Sequence, residues 1–244
     1  MIVLLIAGGF ACGVINALAG GGSFITFPLL MMTGLSPQVA NATNRIAIVL
    51  QAAAGTATYH RYRVMPWRDV PRLLVPSIAG CVVGSLLALW LDEGLFRHVS
   101  AALLIVIALT VFIDPKKWSK ESRGGGRTPA RLYPLLFILS VYGGFLQAGI
   151  GTLLLALFVL GGGYDVVRAN ALKFGLVPIF QLVAVAIFAS AGQVDWPSGL
   201  VLGGGTIAGG VVGARLVVEK GVAWVRMVVL LSAVAAAIQL LTKG

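Results

Sequence analysis

The sequence predicts an all-α integral membrane protein built as an inverted structural repeat, each half carrying about four membrane helices plus a short glycine-broken re-entrant arm. Three observations lead there. The 244-residue chain is 59% hydrophobic and only 11% charged, with a mean hydropathy of +0.98, too apolar for a soluble domain of this length. Its apolar stretches have bilayer dimensions, since ~20 helical residues cross the hydrocarbon core and roughly half that number makes a re-entrant arm. The two halves of the chain also resemble each other in order and spacing.

Taken in order, apolar stretches cover residues 2–19, 45–59, 70–91 and 96–113, then 132–147, 171–191, 196–218 and 223–241, with shorter arms at 24–32 and 152–160. The hydrophilic segment 114–131, DPKKWSKESRGGGRTPAR, divides a first membrane repeat (1–113) from a second (132–244). Residues 1–18 have no basic leading region and run directly into a glycine break, so they read as a retained membrane element and not as a cleaved signal.

The repeat is visible at a constant offset of 129 (Asn41 to Asn170). It matches Ala40, Asn41 and Ala42 with Ala169, Asn170 and Ala171, Trp67 with Trp196, Gly80 with Gly209, Gly84 with Gly213, and Arg97 with Arg226. Upstream the register slips, but GGF at Gly8 recurs at Gly143, and Asn16 ahead of Gly20 resembles Gln147 ahead of Gly151. Gly80 and Gly84, like Gly209 and Gly213, are four apart, a spacing that lets helix backbones approach closely and that says nothing about substrate.

Charge placement orients the copies. The loop 61–72 carries Arg61, Arg63, Arg68 and Arg72, whereas its counterpart 190–196 has no Lys or Arg and contains Asp195. The next pair reverses this: Asp92 and Glu93 stand against Arg97 in one loop, while Arg215, Lys220 and Arg226 occupy the other. By the positive-inside bias these equivalent loops face opposite sides, and the central linker is cytoplasmic. Two hairpins would then enter from opposite faces with glycine-rich tips near the midplane, the layout of a secondary transporter.

The same distribution disposes of the usual meaning of a net charge of +10. The basic residues fall between apolar segments, where they set orientation, so nucleic acid is not an expected partner; the lipid bilayer is. Cys12 and Cys81 sit in apolar runs without a C-x-x-C spacing, and His60 and His98 are the only histidines. No catalytic set, metal site or cofactor is expected from that inventory.

The stretch Ala7 to Arg45 holds the chemistry: an apolar helix, three glycines at Gly20, Gly21 and Gly22, then Ser23, a short arm, Pro37, and Asn41, Asn44 and Arg45. Broken backbone inside a bilayer is tolerated only where protein or a water-filled cavity satisfies it. All eight acidic residues lie in loops or at segment ends. A cation carrier would keep a carboxylate inside, so the cationic and amide groups near the breaks favour a small anionic substrate. The candidate substrate-binding residues are Gly21, Gly22, Ser23, Asn41, Asn44, Arg45, Gln147, Gly151, Thr152, Asn170 and Lys173. Helix starts near Ser23 and Thr152 offer N–H groups, and glycine admits close approach. Several have a plainer reading: tight turns for the glycines, helix capping for Asn41 and Asn170, orientation for Lys173, snorkelling for Arg45. Gln51 and Gln181 either line a path or bond helix to helix.

An apolar helix, a GGG break, an arm ending PLL, Gly-Leu-Ser-Pro, then A-x-A-T-N, with R-A-N-A-L-K in the second half, resembles the sulfite exporter TauE/SafE family over residues 2–241. The resemblance implies a multi-pass inner (plasma) membrane permease for sulfur-containing oxyanions such as sulfite or organosulfonates. An interior-negative potential favours anion export by ~2.3 kcal/mol per charge per 100 mV. Two other classes are weighed. An intramembrane enzyme lacks an interior nucleophile–base pair or metal. A non-transporting membrane partner subunit or anchor needs only packing surfaces, which would also serve a homo-oligomer.

Overall fold

The computed structural model describes residues 1–18, 20–110 and 129–220. The stretch 223–241, expected as a last helix, and nearly all of the 114–131 linker lie outside these residues. Among the described residues every regular element is helical: α1 (Ile2–Leu18), α2 (Ser23–Met31), α3 (Pro37–Arg61), α4 (Val70–Trp90), α5 (Glu93–Thr110), a 3-10 turn (Ala130–Leu132), α6 (Tyr133–Phe145), α7 (Ile150–Ala156) running into a π-helical turn (Leu157–Gly161), α8 (Val166–Ser190) and α9 (Trp196–Lys220). Three of these, α4, α8 and α9, are long and apolar enough to cross a bilayer.

The central helices α3 and α8 begin earlier than hydropathy suggests, because their first turns are polar. Pro37 opens α3 behind Ser36, whose hydroxyl accepts from the Val39 N–H at 3.4 Å. Asp165 caps α8 by accepting from the Arg168 N–H at 2.8 Å. These are ordinary N-caps, a short polar side chain meeting a donor the helix leaves unpaired. Asn41 and Asn170 therefore sit inside their helices and cap neither, which removes the capping explanation for them.

Glycine contacts fix the helix directions. Going along α1, Gly9 packs on Leu202, Gly13 on Thr206 and Ala17 against Gly213, so α1 and α9 run parallel. Along α4, Gly80 packs on Phe137 and Ser140 and Gly84 on Val141, so α6 runs parallel to α4. A Cβ at Gly13 would stand 2.6 Å from the Thr206 carbonyl, and one at Gly80 would stand 2.9 Å from the Ser140 Cβ. The small-residue spacing read from the sequence thus marks backbone crossings, where any larger side chain must push helices apart. By contacts of the same kind α3 follows α9 (Thr43 at Gly199, Gln51 at Gly210), and α8 follows α4 (Gly175 at Val70, the Phe180 carbonyl at Cys81). The two sets meet where α3 and α8 cross antiparallel, Arg45 beside Gln181 and Gly55 under the Phe174 ring.

After α1 breaks, α2 folds back along it, with Gly22 on Cys12 and Leu29 over Gly8. After α6 breaks, α7 begins against its last turn, with Ile150 on Gly143. The tips touch: a Cβ on Gly151 would lie 2.7 Å from the Gly20 Cα.

Candidate functional site

A helix that stops inside a bundle leaves carbonyls without partners, and these need donors from elsewhere. At the first break Gly20 adopts φ +85°, a conformation glycine tolerates. The Gly22 N–H donates to the Asn16 Oδ1 at 2.8 Å. Asn16 Nδ2 donates to the Gln51 Oε1 at 3.1 Å, and Gln51 Nε2 donates to the Gly13 carbonyl at 3.2 Å. From α8, the Lys173 ammonium donates to the Asn16 carbonyl at 2.9 Å and to the Asn170 Oδ1 at 2.7 Å.

The second break is built differently. Gln147 holds φ +67° and Gly149 φ +79°, and the Ala148 carbonyl accepts from the Tyr142 hydroxyl. The carbonyls that end α6 are met chiefly by Arg45. Its Nη1 donates to the Gly143 carbonyl at 2.9 Å and to the Gln181 Oε1 at 2.7 Å, and its Nη2 to the Gly144 and Phe145 carbonyls at 2.6 and 3.2 Å. Asn41 adds a bond to the Phe145 carbonyl at 2.9 Å. The guanidinium also lies 4.8 Å from the Phe188 ring centroid. In both halves, then, a cation from a central helix sits at the carbonyl end of a broken helix contributed by the other half, where the helix dipole favours it.

Between the tips lies a cavity of about 30 Å³. Its polar wall is Asn16, Ser23, Gln51, Gln147 and Lys173, together with Gly20 and Gly151; Ile48, Phe174 and Val177 are among its apolar lining. Among the described residues Lys173 is the one charged residue on that wall. It is 3% exposed, and Asn170 behind it is fully buried. Among the described residues no acidic side chain lines the cavity, and no group of His, Cys, Asp or Glu could hold a metal ion. Cys12 and Cys81 are buried free thiols.

Of the eleven residues singled out from the sequence, Ser23, Gln147, Gly151 and Lys173 line the cavity. Gly21, Gly22 and Thr152 adjoin lining residues in the chain, the Thr152 N–H donating to the Gly149 carbonyl at 3.1 Å. Asn170 supports Lys173 from behind. Asn41 and Arg45 belong to the α6 end and are not on the wall; Asn44 is also off it, buried with its Oδ1 unpartnered. Three other residues of the polar wall, Asn16, Gly20 and Gln51, were not among the eleven, although Gln51 was read as lining a path or bonding helix to helix and Gly20 as part of the glycine break. The repeat could have found the first two, because Asn16 precedes Gly20 by the same four residues that separate Gln147 from Gly151. Gln51 does both things read for it, lining the cavity and bonding to the Gly13 carbonyl of α1.

The family profile Sulfite exporter TauE/SafE matches residues 5–240. A "Probable membrane transporter protein" of Haemophilus influenzae is 31% identical over 235 residues, spanning 95% of this chain and 91% of its own. The "Probable membrane transporter protein YfcA" of Escherichia coli is 29% identical over 232 residues, 92% of this chain and 84% of its own. An Arabidopsis thaliana protein, "Sulfite exporter TauE/SafE family protein 3", is 26% identical over 46% of this chain and 24% of its own. No solved structure matches. With the profile running almost from end to end and a relative matched along nearly its whole length, the chain belongs to the sulfite exporter TauE/SafE family of membrane transporters.

Proposed function

We propose that the protein is a secondary transporter that exports small sulfur-containing anions, sulfite or organosulfonates, by alternating access across the inner membrane, with the anion held between the two glycine-rich tips. The observation that carries this is Lys173, an ammonium 3% exposed on a cavity wall that holds no carboxylate among the described residues. A buried charge without a counter-ion is costly, and an anion arriving in the cavity supplies one. A cavity needs about 10–15 Å³ to hold one water, so the 30 Å³ here has room for two or three waters, and an oxyanion of four heavy atoms enters as the tips part slightly. An organosulfonate tail requires the tips to part further.

Alternating access would come from two inverted copies, 1–113 and 132–244, joined by a cytoplasmic linker at 114–131. Helix directions support the inversion: α1 runs with α9, α6 runs with α4, and α9 and α4 oppose each other across the α3–α8 crossing. The two broken hairpins then enter from opposite faces. Arg61, Arg63, Arg68 and Arg72 span the end of α3, the connecting loop and the first turn of α4, and Arg215 and Lys220 lie in the last turns of α9. That end is the cytoplasmic one by the positive-inside bias.

Efflux of sulfite from proteoliposomes tests the reading. The wild-type protein is expected to release sulfite faster than protein-free vesicles, and Lys173→Gln to lower the rate by about tenfold or more, the worth of a charge-assisted hydrogen bond. Wild-type release equal to that of empty vesicles would overturn the transporter reading.

A further inference from the structure

The ends of α3 and α9 and the starts of α4 and α8 meet at one face of the bundle. The Tyr62 hydroxyl, just past α3, donates to the Glu219 Oε1 of α9 at 2.8 Å, and the Tyr164 hydroxyl, ahead of α8, donates to the Asp69 Oδ2 beside α4 at 2.7 Å. Asp165 caps α8 and pairs with Arg168 at 3.6 Å. The carboxylates at this face are thus engaged, two of them by tyrosines. Arg61, Arg63, Arg68 and Arg72 are exposed here, and among the described residues none of them has a carboxylate partner.

The surroundings of these arginines indicate what they hold. Arg72 stands at the polar end of an α4 stripe on which Val75, Ala79, Val83 and Leu86 follow at helical spacing, all exposed, Val75 by 72%. Charge therefore runs directly into an open apolar surface. Trp67, 46% exposed, is pinned by its indole N–H, which donates to the His60 Nδ1 at 3.0 Å; tryptophans of this kind settle at the depth of lipid headgroups. Its repeat partner Trp196 is 49% exposed in the other half, but the loop 190–196 there has no Lys or Arg. Lysine would serve membrane orientation as well, yet all four cations of 61–72 are arginine, whose planar fork matches a phosphate bidentately.

We propose that this face binds an anionic phospholipid of the phosphatidylglycerol type: the arginines take the phosphodiester, Trp67 lies at headgroup depth, and an acyl chain runs along the exposed stripe of α4. Free phosphate or an acidic peptide would use the cations and leave the apolar stripe without a partner. By the positive-inside bias the lipid belongs to the cytoplasmic leaflet. The site does not depend on what the cavity carries.

The test titrates short-chain phosphatidylglycerol, phosphatidylcholine or inorganic phosphate into the detergent-purified protein and follows its unfolding temperature. Phosphatidylglycerol is expected to raise that temperature by about 2–4 °C, less so as added salt screens the arginines, while phosphatidylcholine and inorganic phosphate leave it unchanged. Arg63→Gln combined with Arg68→Gln leaves Arg61 and Arg72 to hold the orientation. It should weaken phosphatidylglycerol binding about 25-fold, roughly fivefold for each cation lost, whereas Arg97→Ala should not weaken it. Where the double variant fails to fold, Arg68→Gln alone decides, with a loss of about fivefold. An equal response to phosphatidylglycerol and phosphatidylcholine, a response to inorganic phosphate that matches the lipid, undiminished lipid binding in the folded variant, or an equal loss in Arg97→Ala would each overturn the proposal.

Discussion

Arg45 and Lys173 occupy corresponding places, each reaching from a central helix to the carbonyl end of the other half's broken helix, yet they do different work. Arg45 is fully buried and its two forks meet three backbone carbonyls and the Gln181 amide. A planar guanidinium with fixed donors suits that array of fixed acceptors. Lys173 meets two acceptors and borders the cavity. Where the protein itself supplies the acceptors the cation is structural; where it leaves a donor facing open space the cation is available to a ligand. A buried cation beside a helix break is therefore not by itself a substrate site.

The contrast can be broken most directly at Arg45. Gly143, Gly144 and Phe145 each keep a second donor, from Gln181, Ser85 and Asn41. Arg45→Met is accordingly expected to cost about 2–4 kcal/mol from lost charge-assisted bonds and imperfect refilling. A fall in thermal unfolding temperature in detergent would register it, and an unfolding temperature equal to wild type would erase the structural half of the comparison. Lys173→Met should behave in the opposite sense. It removes a solitary ammonium, so stability should change by under about 2 kcal/mol, while sulfite efflux drops by about 10- to 100-fold, the equivalent of roughly 1.4–2.8 kcal/mol. Efflux preserved in Lys173→Met and lost in a folded Arg45→Met would exchange the two roles.

Asn16→Ala sharpens the comparison further, because Asn16 serves the first break as Arg45 serves the second, through one neutral amide. Its loss frees the Gly22 N–H and the Gln51 Oε1 and is expected to cost about 1–2 kcal/mol. Slower efflux should accompany it, since the loosened tip carries Gly20 and Ser23; a variant with wild-type stability would show that the amide is dispensable. The smallest effect belongs to Arg97. Its 3.3 Å ion pair with Glu93 is more than half exposed on the arginine side, so Arg97→Ala should shift stability by under about 1 kcal/mol and leave efflux unchanged. A large efflux defect there would mean that charge outside the cavity matters as much as Lys173.

Much of the fold was legible in the chain. Hydropathy and the glycine punctuation located α1, α2, α4, α6, α7 and α9 to within a few residues, because those signals are local. The starts of α3 and α8 were missed: their first turns carry Asn41, Asn44, Asn170 and Lys173, which lower hydropathy although Ser36 and Asp165 had the chemistry of N-caps. At the site the glycines, Ser23, Gln147 and Lys173 were visible as departures from an apolar background. The assignment of Arg45 was not, because its acceptors lie 98 to 136 residues away.

The amino-acid sequence alone determined membrane residence, the broken helices, the small-residue crossings and the family, since each follows from composition, spacing or motif. Only the tertiary structure decided which cation touches the cavity. That depends on the register in which α3 and α8 cross, and register is set by side-chain fit between segments far apart in the chain. Two buried cations of equal promise in the sequence were separated by which of them the folded backbone had already supplied with acceptors.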